Sequence, residues 1–340
     1  MEWLPALWFV LIAVLWCGYL FLEGFDLGVG MMIGIGRSSE QRKRVLLNTI
    51  GPVWDGNEVW LLTAGGATFA AFPYWYASLF SALYIPLTIV LVALIFRAVS
   101  IEYRGKAKTS RSIKLWDAAL GYGSLVAAFG VGAMLALTTL GLPLNANGDR
   151  VGGPFAWLTW YAVLGGVAVV AFCWIHALAF IRLKTDGPIR VRAGRLFTRW
   201  LIPAVIPLVL WVLVVVLRND SAAAWALLAV AAVGLIASLL LGMAGKEGSS
   251  FIALGIMLLA GVAAIFTAAF PVVLPSSIDS AFDLTIYNAS STPYTLKLMS
   301  IVAAFGVPLV LAYQAWSYWV FRKRIREEHI PAAHTVTPVV

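Results

Sequence analysis

The stretches at residues 24–30, GFDLGVG, and 51–61, GPVWDGNEVWL, place carboxylates inside segments that are otherwise apolar enough to span a membrane. Together with the acid that precedes the first stretch, they contribute four acidic residues: Glu23, Asp26, Asp55 and Glu58. A charged group at the centre of a bilayer costs about 2.5–3.5 kcal/mol on insertion scales, so such groups usually face a protein interior and serve transport, proton relay or ligand binding. The two stretches therefore indicate a polar site between membrane helices.

The composition points to the same class of protein. Of the 340 residues, 61% are hydrophobic and 12% are charged, and the mean hydropathy is +0.90. A soluble domain of this length does not need so much apolar surface, so we expect an all-α polytopic membrane protein. Cys17 and Cys173 both lie in apolar segments without a C-x-x-C spacing, and we expect no metal site.

Nine segments have the length and apolarity of a spanning helix, which needs about 20 residues. They are residues 6–36, 53–72, 76–99, 117–139, 155–181, 199–217, 223–243, 251–271 and 297–321. Before the second of them, Ser38-Ser39-Glu40-Gln41 has the chemistry of a helix start, with Ser38 as the cap and Gln41 three residues on. We expect a short helix there at the inner membrane surface.

The basic residues are divided unequally between the two ends of these spans. All of the 24 lysines and arginines except Arg150, Arg218 and Lys297 lie on one side. The positive-inside rule then places the amino terminus outside and the carboxyl terminus in the cytoplasm, as an odd number of spans requires. The formal net charge of +8 thus reflects membrane orientation and not nucleic-acid binding. Arg97 and Arg104 are counted in the cytoplasmic loop after the third span.

We expect one transmembrane domain over residues 1–326 and a disordered cytoplasmic tail over residues 327–340. The predicted orientation brings the acids of the first two spans to one depth, in the inner half of the membrane. In each span the two acids are three residues apart and share a helix face. Glu102 and Lys106 follow the end of the third span on the cytoplasmic side. This arrangement predicts a proton path from the cytoplasm, with a static polar network and a cation site as alternatives.

Three further features have a packing interpretation and a functional one. His176 is the one histidine inside a span; a haem iron often takes histidine, but a packed or hydrogen-bonded ring is the stronger interpretation. Trp54 and Trp60 flank the acids, where a flat ring can contact a quinone. Six of the 15 tryptophans lie near predicted interfaces and fit aromatic belts: Trp3, Trp8, Trp75, Trp157, Trp160 and Trp319. The spacing of the glycines at 24, 28, 30 and 34 predicts close helix contacts, and the pair at 65–66 indicates the same or a local distortion.

The sequence resembles subunit II of the cytochrome bd-type quinol oxidases over most of its length. The similarity is strongest over residues 18–117, which include both opening stretches. It returns at residues 176–187 (HALAFIRLKTDG), 270–277 (FPVVLPSS) and 284–291 (LTIYNASS). The W-D-G-N motif at residues 54–57 is specific to that family in this context.

The resemblance implies the non-haem subunit of a bacterial enzyme complex of the cytoplasmic membrane, an electrogenic oxidoreductase that reduces oxygen to water with quinol electrons. It implies a partner, subunit I, that carries two b haems and one d haem, and it allows small accessory subunits and a structural quinone in this chain. Asp55 matches the family's buried aspartate on the proton route, and Glu102 and Lys106 match its acid and lysine at the cytoplasmic mouth. Some relatives have glutamine where Glu58 stands, and histidine at the position of His176 is not universal.

The residues alone leave two other classes of protein open. A proton-coupled secondary transporter would also use buried carboxylates, but it more often shows two repeated helices that are broken at mid-membrane. A structural membrane scaffold is the other alternative. No internal repeat is evident in this sequence.

Overall fold

Membrane-length helices make up most of the computed structural model, which describes residues 3–330. In this part of the chain the α-helices are α1 (Leu4–Gly34), α2 (Glu40–Ile50), α3 (Trp54–Ala71), α4 (Pro73–Ala82), α5 (Tyr84–Tyr103), α6 (Ser110–Leu140), α7 (Trp160–Lys184), α8 (Gly187–Asn219), α9 (Ala222–Met243), α10 (Glu247–Ala269) and α11 (Pro293–Val320). Two short strands, β1 (Val272–Leu274) and β2 (Leu284–Thr285), pair antiparallel in the loop between α10 and α11. The all-helical fold class is confirmed.

Side-chain caps begin several of the helices. An oxygen of the cap residue accepts a hydrogen bond from a backbone N–H of the first turn, which otherwise has no partner inside the helix. The residues that do this are Ser39, Thr109, Thr159, Asp186, Ser221 and Thr292. The predicted helix after the first span is therefore α2, but its cap is Ser39 and not Ser38.

Eight of the helices in residues 3–330 are long and apolar enough to cross a membrane. They are α1 and α5 to α11, and they coincide with eight of the nine predicted spans. The remaining predicted span, residues 53–72, coincides with α3, which has 18 residues and is less apolar because Asp55, Asn57 and Glu58 lie in its first turns. Eighteen residues rise about 27 Å, close to the bilayer core of about 30 Å. The count of nine spans and the sides of the two termini stay predictions.

The two largest differences between predicted and observed boundaries are in the third and sixth spans. The third span was placed at residues 76–99, whereas α4 ends at Ala82 and a separate helix, α5, begins at Tyr84. The sixth span was placed at residues 199–217, whereas α8 begins at Gly187 and has 33 residues. The first three turns of α8 are rich in arginine, so a search for apolar segments finds only the membrane part of that helix.

Helix α1 lies at the centre of the bundle and packs against α3, α6, α7 and α10. Glycines make the closest approaches possible. A Cβ at Gly28 would overlap the carbonyl oxygen of Cys173 on α7, and a Cβ at Gly34 would overlap the carbonyl oxygen of Asp117 on α6. The prediction of close helix contacts in α1 is confirmed. Gly66, in contrast, has no atom within 4 Å of such a Cβ, so the glycine pair of α3 makes no close contact there within the described chain.

The described end of the chain lies along the end of α7, the beginning of α8 and α2, at the end of the bundle that the charge pattern places toward the cytoplasm. The backbone of Ile325 donates to the carbonyl of Lys184 at 2.8 Å and accepts from the N–H of Asp186 at 3.1 Å. Gln41 on α2 donates to the carbonyl of Glu327 at 3.0 Å. We call residues 321–330 the C-terminal strap. It includes the first four residues of the predicted disordered tail, and the other ten, 331–340, lie outside the described residues.

Candidate functional site

A buried arginine occupies the centre of the polar site. Arg97 lies on α5 with no exposed surface, 2.7 Å from a carboxylate oxygen of Glu23 on α1 and 3.0 Å from one of Glu58 on α3. Its assignment to a cytoplasmic loop was wrong, because α5 continues for six residues beyond it to Tyr103, which is about 9 Å of helix. The sequence signal for a buried ion pair at this position was a single arginine inside an apolar run, because a buried arginine is nearly always paired with an acid.

The charges around Arg97 do not balance if every acid is ionised. Glu23 and Asp26 are fully buried, and the side chain of Glu58 is only 18% exposed. Three carboxylates would then face one guanidinium in a site with little water. Uncompensated buried charge is costly, so this cluster has a physical reason to bind protons.

An amide network joins the acids of α1 to α11. Asn57 donates to Asp26 at 2.7 Å, and its carbonyl oxygen accepts from Gln314 at 2.9 Å and from the hydroxyl of Tyr318 at 2.8 Å. The indole N–H of Trp60 donates to Gln314 at 3.3 Å. Asn57 is in the opening motif, but it was not predicted as a site residue, and neither were Gln314 and Tyr318. The sequence signal that could have identified them is a polar side chain inside an apolar helix.

Three predicted site residues lie on the surface of this chain. Asp55 is exposed, and within residues 3–330 it accepts only from the N–H of Gly56, at 2.8 Å. Glu102 and Lys106 are exposed as well. The Lys106 ammonium lies 4.5 Å from the centre of the Tyr103 ring. The structure therefore gathers Glu23, Glu58 and Asp26 with Arg97 and Asn57, and leaves the other three outside that cluster.

The surface acids nevertheless share their helices with the cluster. Asp55 lies three residues before Glu58 on α3, about 4.5 Å along the axis, and Glu102 lies five residues after Arg97 on α5, about 7.5 Å along it. Both acids stand at the end of their helix that the charge pattern places toward the cytoplasm, and Lys106 follows the end of α5 at the same side. Helices α3 and α5 thus connect the surface acids to the buried ones.

Ion pairs fix the loop at the same end of the bundle. Arg104 is buried; it donates to both carboxylate oxygens of Glu40, at 2.9 and 2.8 Å, and forms an ion pair with Asp117. Lys43 reaches Asp117 at 2.8 Å. In the sequence, Arg104 was counted only as one of the basic residues of this loop. Its bonds join α2, α6 and the residues after α5, next to Glu102 and Lys106.

His176 is a packed ring, in agreement with the stronger interpretation. It is fully buried, and its Nε2 lies 2.8 Å from the carbonyl oxygen of Phe21. Its ring stacks on Phe172 and Phe251, with centroids 5.1 and 5.0 Å away. Within residues 3–330, no group of three or more His, Cys, Asp or Glu side chains could hold a metal ion, and the guanidinium of Arg97 would repel a cation at the acidic cluster.

The two predicted quinone-contacting tryptophans have different surroundings. Trp60 lines a groove between α1, α10 and α11 with a volume of about 860 Å³, next to Gln314 and Tyr318. The rest of its lining is almost entirely apolar. Trp54 lies outside this groove, with the centre of its ring 6.0 Å from the guanidinium carbon of Arg97. We call the cavity that Trp60 lines the Trp60 groove.

Comparisons with known proteins agree over almost the whole chain. The family model described as cytochrome bd terminal oxidase subunit II matches residues 4–321. Cytochrome bd ubiquinol oxidase subunit 2 of Bacillus subtilis (strain 168) is 41% identical over 327 residues, which cover 95% of this chain and 97% of that protein. Cytochrome bd-I ubiquinol oxidase subunit 2 of Escherichia coli (strain K12) is 30% identical over 370 residues and 97% of both chains.

A solved structure has the same fold. A chain in the structure of the bd oxidase from Geobacillus thermodenitrificans superposes with a TM-score of 0.73 and covers 94% of this chain and 99% of its own length. The sequence identity is 19%, so this likeness supports the fold alone.

Proposed function

This chain belongs to the cytochrome bd terminal oxidase subunit II family, and from that premise we propose that it supports assembly of the oxidase complex and delivers cytoplasmic protons for the reduction of oxygen to water. The complex is a quinol oxidase of the bacterial cytoplasmic membrane. The observation that carries the proposal is the buried cluster of Glu23, Glu58 and Asp26 around Arg97. The transporter and scaffold alternatives have no comparable support.

The face formed by α3, α5 and α11 is the proposed contact with the haem-carrying subunit I. Helix α11 has a single buried residue in this chain, Leu296, and Phe305 and Leu309 are 79% and 73% exposed. Asp55 is exposed on α3, and an acid at membrane depth is costly against lipid. A partner chain that covers this face would remove Asp55 from lipid and place it between the two subunits.

The haems of the complex belong in this proposal to subunit I. Haem iron needs an axial ligand such as a histidine nitrogen. The Nε2 of His176 is engaged by the carbonyl of Phe21, and its ring is enclosed by Phe172 and Phe251. His176 therefore does not fit a haem site within this chain, and we assign no step of the reaction to a haem here.

The proposed proton route begins at Lys106 and Glu102 and continues by way of Asp55 to the cluster. Glu102 is exposed beyond the end of the apolar run and can exchange protons with water, and Asp55 lies three residues before Glu58 on α3, next to the buried carboxylates. Carboxylates are suited to this work because each can bind a proton and release it to a neighbour. Reduction of one oxygen molecule to water consumes four protons, so the rate of intake bears directly on turnover.

The Trp60 groove is the proposed place for a quinone in this subunit. Its apolar walls suit an isoprenoid tail, and Trp60, Gln314 and Tyr318 offer a flat ring and polar groups at one end. A bound quinone would supply a redox-active ring there. What this chain itself contributes is an apolar groove and hydrogen-bonding groups that orient the ring.

Purification through an affinity tag on this chain tests the proposal. We expect a second large subunit, absorption bands of b and d haems, and one extractable quinone per complex. Val14 is half-exposed and lines the groove, so Val14→Trp should reduce the quinone content, whereas Val167→Trp on α7, outside the groove, should leave it unchanged. A complex without haem, or an isolated folded chain that retains haem in stoichiometric amount, would contradict the assignment of haem to the partner.

A further inference from the structure

A second groove opens at the predicted cytoplasmic end of the bundle, between α1, α2, α7 and α8. Its volume is about 500 Å³. Its floor consists of buried apolar side chains: Met31, Leu46, Leu178, Ile181, Ile189 and Ala193. Trp174 lines one side, and no acidic side chain is among the described residues of its wall. An apolar groove at this depth has the character of a pocket for a hydrocarbon chain.

Arginines surround the mouth of this groove. Arg37, Arg42 and Arg192 line it together with Ser38. Arg37 and Arg192 are exposed, and neither forms an ion pair with any residue in 3–330. Arg42 has an acidic neighbour, Glu327, but only at 3.9 Å. The mouth therefore carries positive charge that acidic side chains in residues 3–330 neutralise only weakly.

We propose that this groove binds an anionic phospholipid of the inner leaflet, with the phosphate between Arg37 and Arg192 and an acyl chain against the apolar floor. Basic pockets between membrane helices on the cytoplasmic side are suited to anionic headgroups, and guanidinium groups can bind phosphate oxygens in pairs. A soluble phosphate would leave the apolar floor empty. A lipid without net charge would leave the arginines uncompensated.

The position of the groove gives this lipid a structural role. Its walls include the end of α1, the beginning of α8 and part of α2. Helix α1 carries Asp26, and Glu40 on α2 forms an ion pair with Arg104. A lipid in this place fills the space between elements that are far apart in sequence. The inference is independent of the proton route, because none of the proposed route residues lines the groove.

Native mass spectrometry of the delipidated complex tests the proposal by titration with phosphatidylglycerol, with phosphatidylcholine of the same acyl chains, and with glycerol 1-phosphate. We expect tight binding of one phosphatidylglycerol and weak binding of the other two. A basic residue near anionic lipid contributes about fivefold in affinity, so the double variant Arg37→Gln, Arg192→Gln should bind roughly 30-fold more weakly. The control with Arg111→Gln and Lys114→Gln, exposed on α6 at the same end, should bind like the wild type.

A second variant tests the apolar part of the site. Ala171→Trp narrows the groove without changing its charge and should also prevent binding of phosphatidylglycerol. Equal binding of the charged and the uncharged lipid, or wild-type affinity in the double arginine variant, would overturn the proposal. Binding of glycerol 1-phosphate as tight as that of the lipid would overturn the assignment to a phospholipid. If the double variant does not assemble, Arg37→Gln alone should show the fivefold loss.

Discussion

The guanidinium of Arg97 lies 2.7 Å from the carboxylate of Glu23, and neither side chain has any exposed surface. The pair joins the central helix α1 to α5, which otherwise lies at the edge of this chain and is exposed along much of its length. A buried ion pair contributes little net stability relative to apolar residues of the same size, whereas removal of one partner leaves a costly unpaired charge. The pair therefore fixes the positions of these two side chains in the site more than it contributes to the free energy of unfolding.

Arg97→Met should destabilise the complex strongly. The substitution leaves Glu23 and Glu58 without their cation, at a cost of about 3–5 kcal/mol for a broken buried pair. The midpoint of thermal unfolding of the purified complex measures this effect. Arg111→Met, at an exposed position on α6, is the control.

The double variant Arg97→Met, Glu23→Gln distinguishes charge from packing. It removes both charges of the closest pair and should recover most of the lost stability. If the double variant is as unstable as Arg97→Met alone, the loss comes from packing and the ion-pair explanation is wrong.

Gly34→Ala should weaken the contact between α1 and α6. The added Cβ would overlap the carbonyl oxygen of Asp117 and lie 2.5 Å from the Cα of Gly121, and overpacking of this kind typically costs about 1–3 kcal/mol. The added Cβ of Gly194→Ala on α8 meets no atom of the described residues within 4 Å. This variant should be neutral, or stabilised by up to about 1 kcal/mol from helix propensity. Thermal unfolding of both variants checks the contrast; equal effects would refute the close packing at Gly34.

The sequence predicted those features that depend on local pattern. Apolar length identified eight of the membrane helices, and the glycine spacing of α1 identified its packed face. The partners of Arg97 were not predicted, because they depend on which helices become neighbours: Glu23 and Arg97 are far apart in the chain. Gln314 and Tyr318 were missed for the same reason, since only the fold brings α11 beside Asn57.

Glu247→Ala should loosen the C-terminal strap. The carboxylate of Glu247 accepts from Arg190 on α8 at 2.8 Å and from Arg324 in the strap at 2.7 Å. Without it, the strap loses the ion pair of Arg324 but keeps the backbone hydrogen bonds near Ile325, the ion pair of Arg326 with Asp186 and the hydrogen bond from Gln41 to Glu327. Trypsin should then cleave after the basic residues of the strap several-fold faster. Glu328→Ala, at an exposed position of the strap, should leave cleavage unchanged; equal cleavage of the two variants would contradict the role of Glu247.

The strap should stay attached in mildly acidic solution. The backbone N–H of Gly187 and the guanidinium of Arg326 hold the pKa of Asp186 below its usual range. A lowered pKa means that the stabilising charge is fully present above the ordinary aspartate value of about 3.9 and is lost only as the pH falls through the lowered value. Amide hydrogen exchange at Asp186 and Ile325, corrected for intrinsic rates, should show equal protection at pH 7 and pH 5. Protection that decreases between pH 7 and pH 5 would contradict the lowered pKa of Asp186. The variant Asp186→Asn should lower the protection at both pH values.

Oxygen consumption per haem in the Asp55→Asn complex is the most direct test of the proposed proton route. The substitution removes the titratable group at nearly constant shape, so haem content and assembly should stay near normal. Quinol-driven oxygen uptake should fall by about two orders of magnitude, the low end of what a positioned proton carrier contributes. Glu102→Gln should have a smaller effect, because water can replace a hydrated residue at the mouth, and Asp149→Asn in an exposed loop should have none. The account predicts slow turnover with a normal haem spectrum in Asp55→Asn; wild-type turnover in that assembled complex would contradict it.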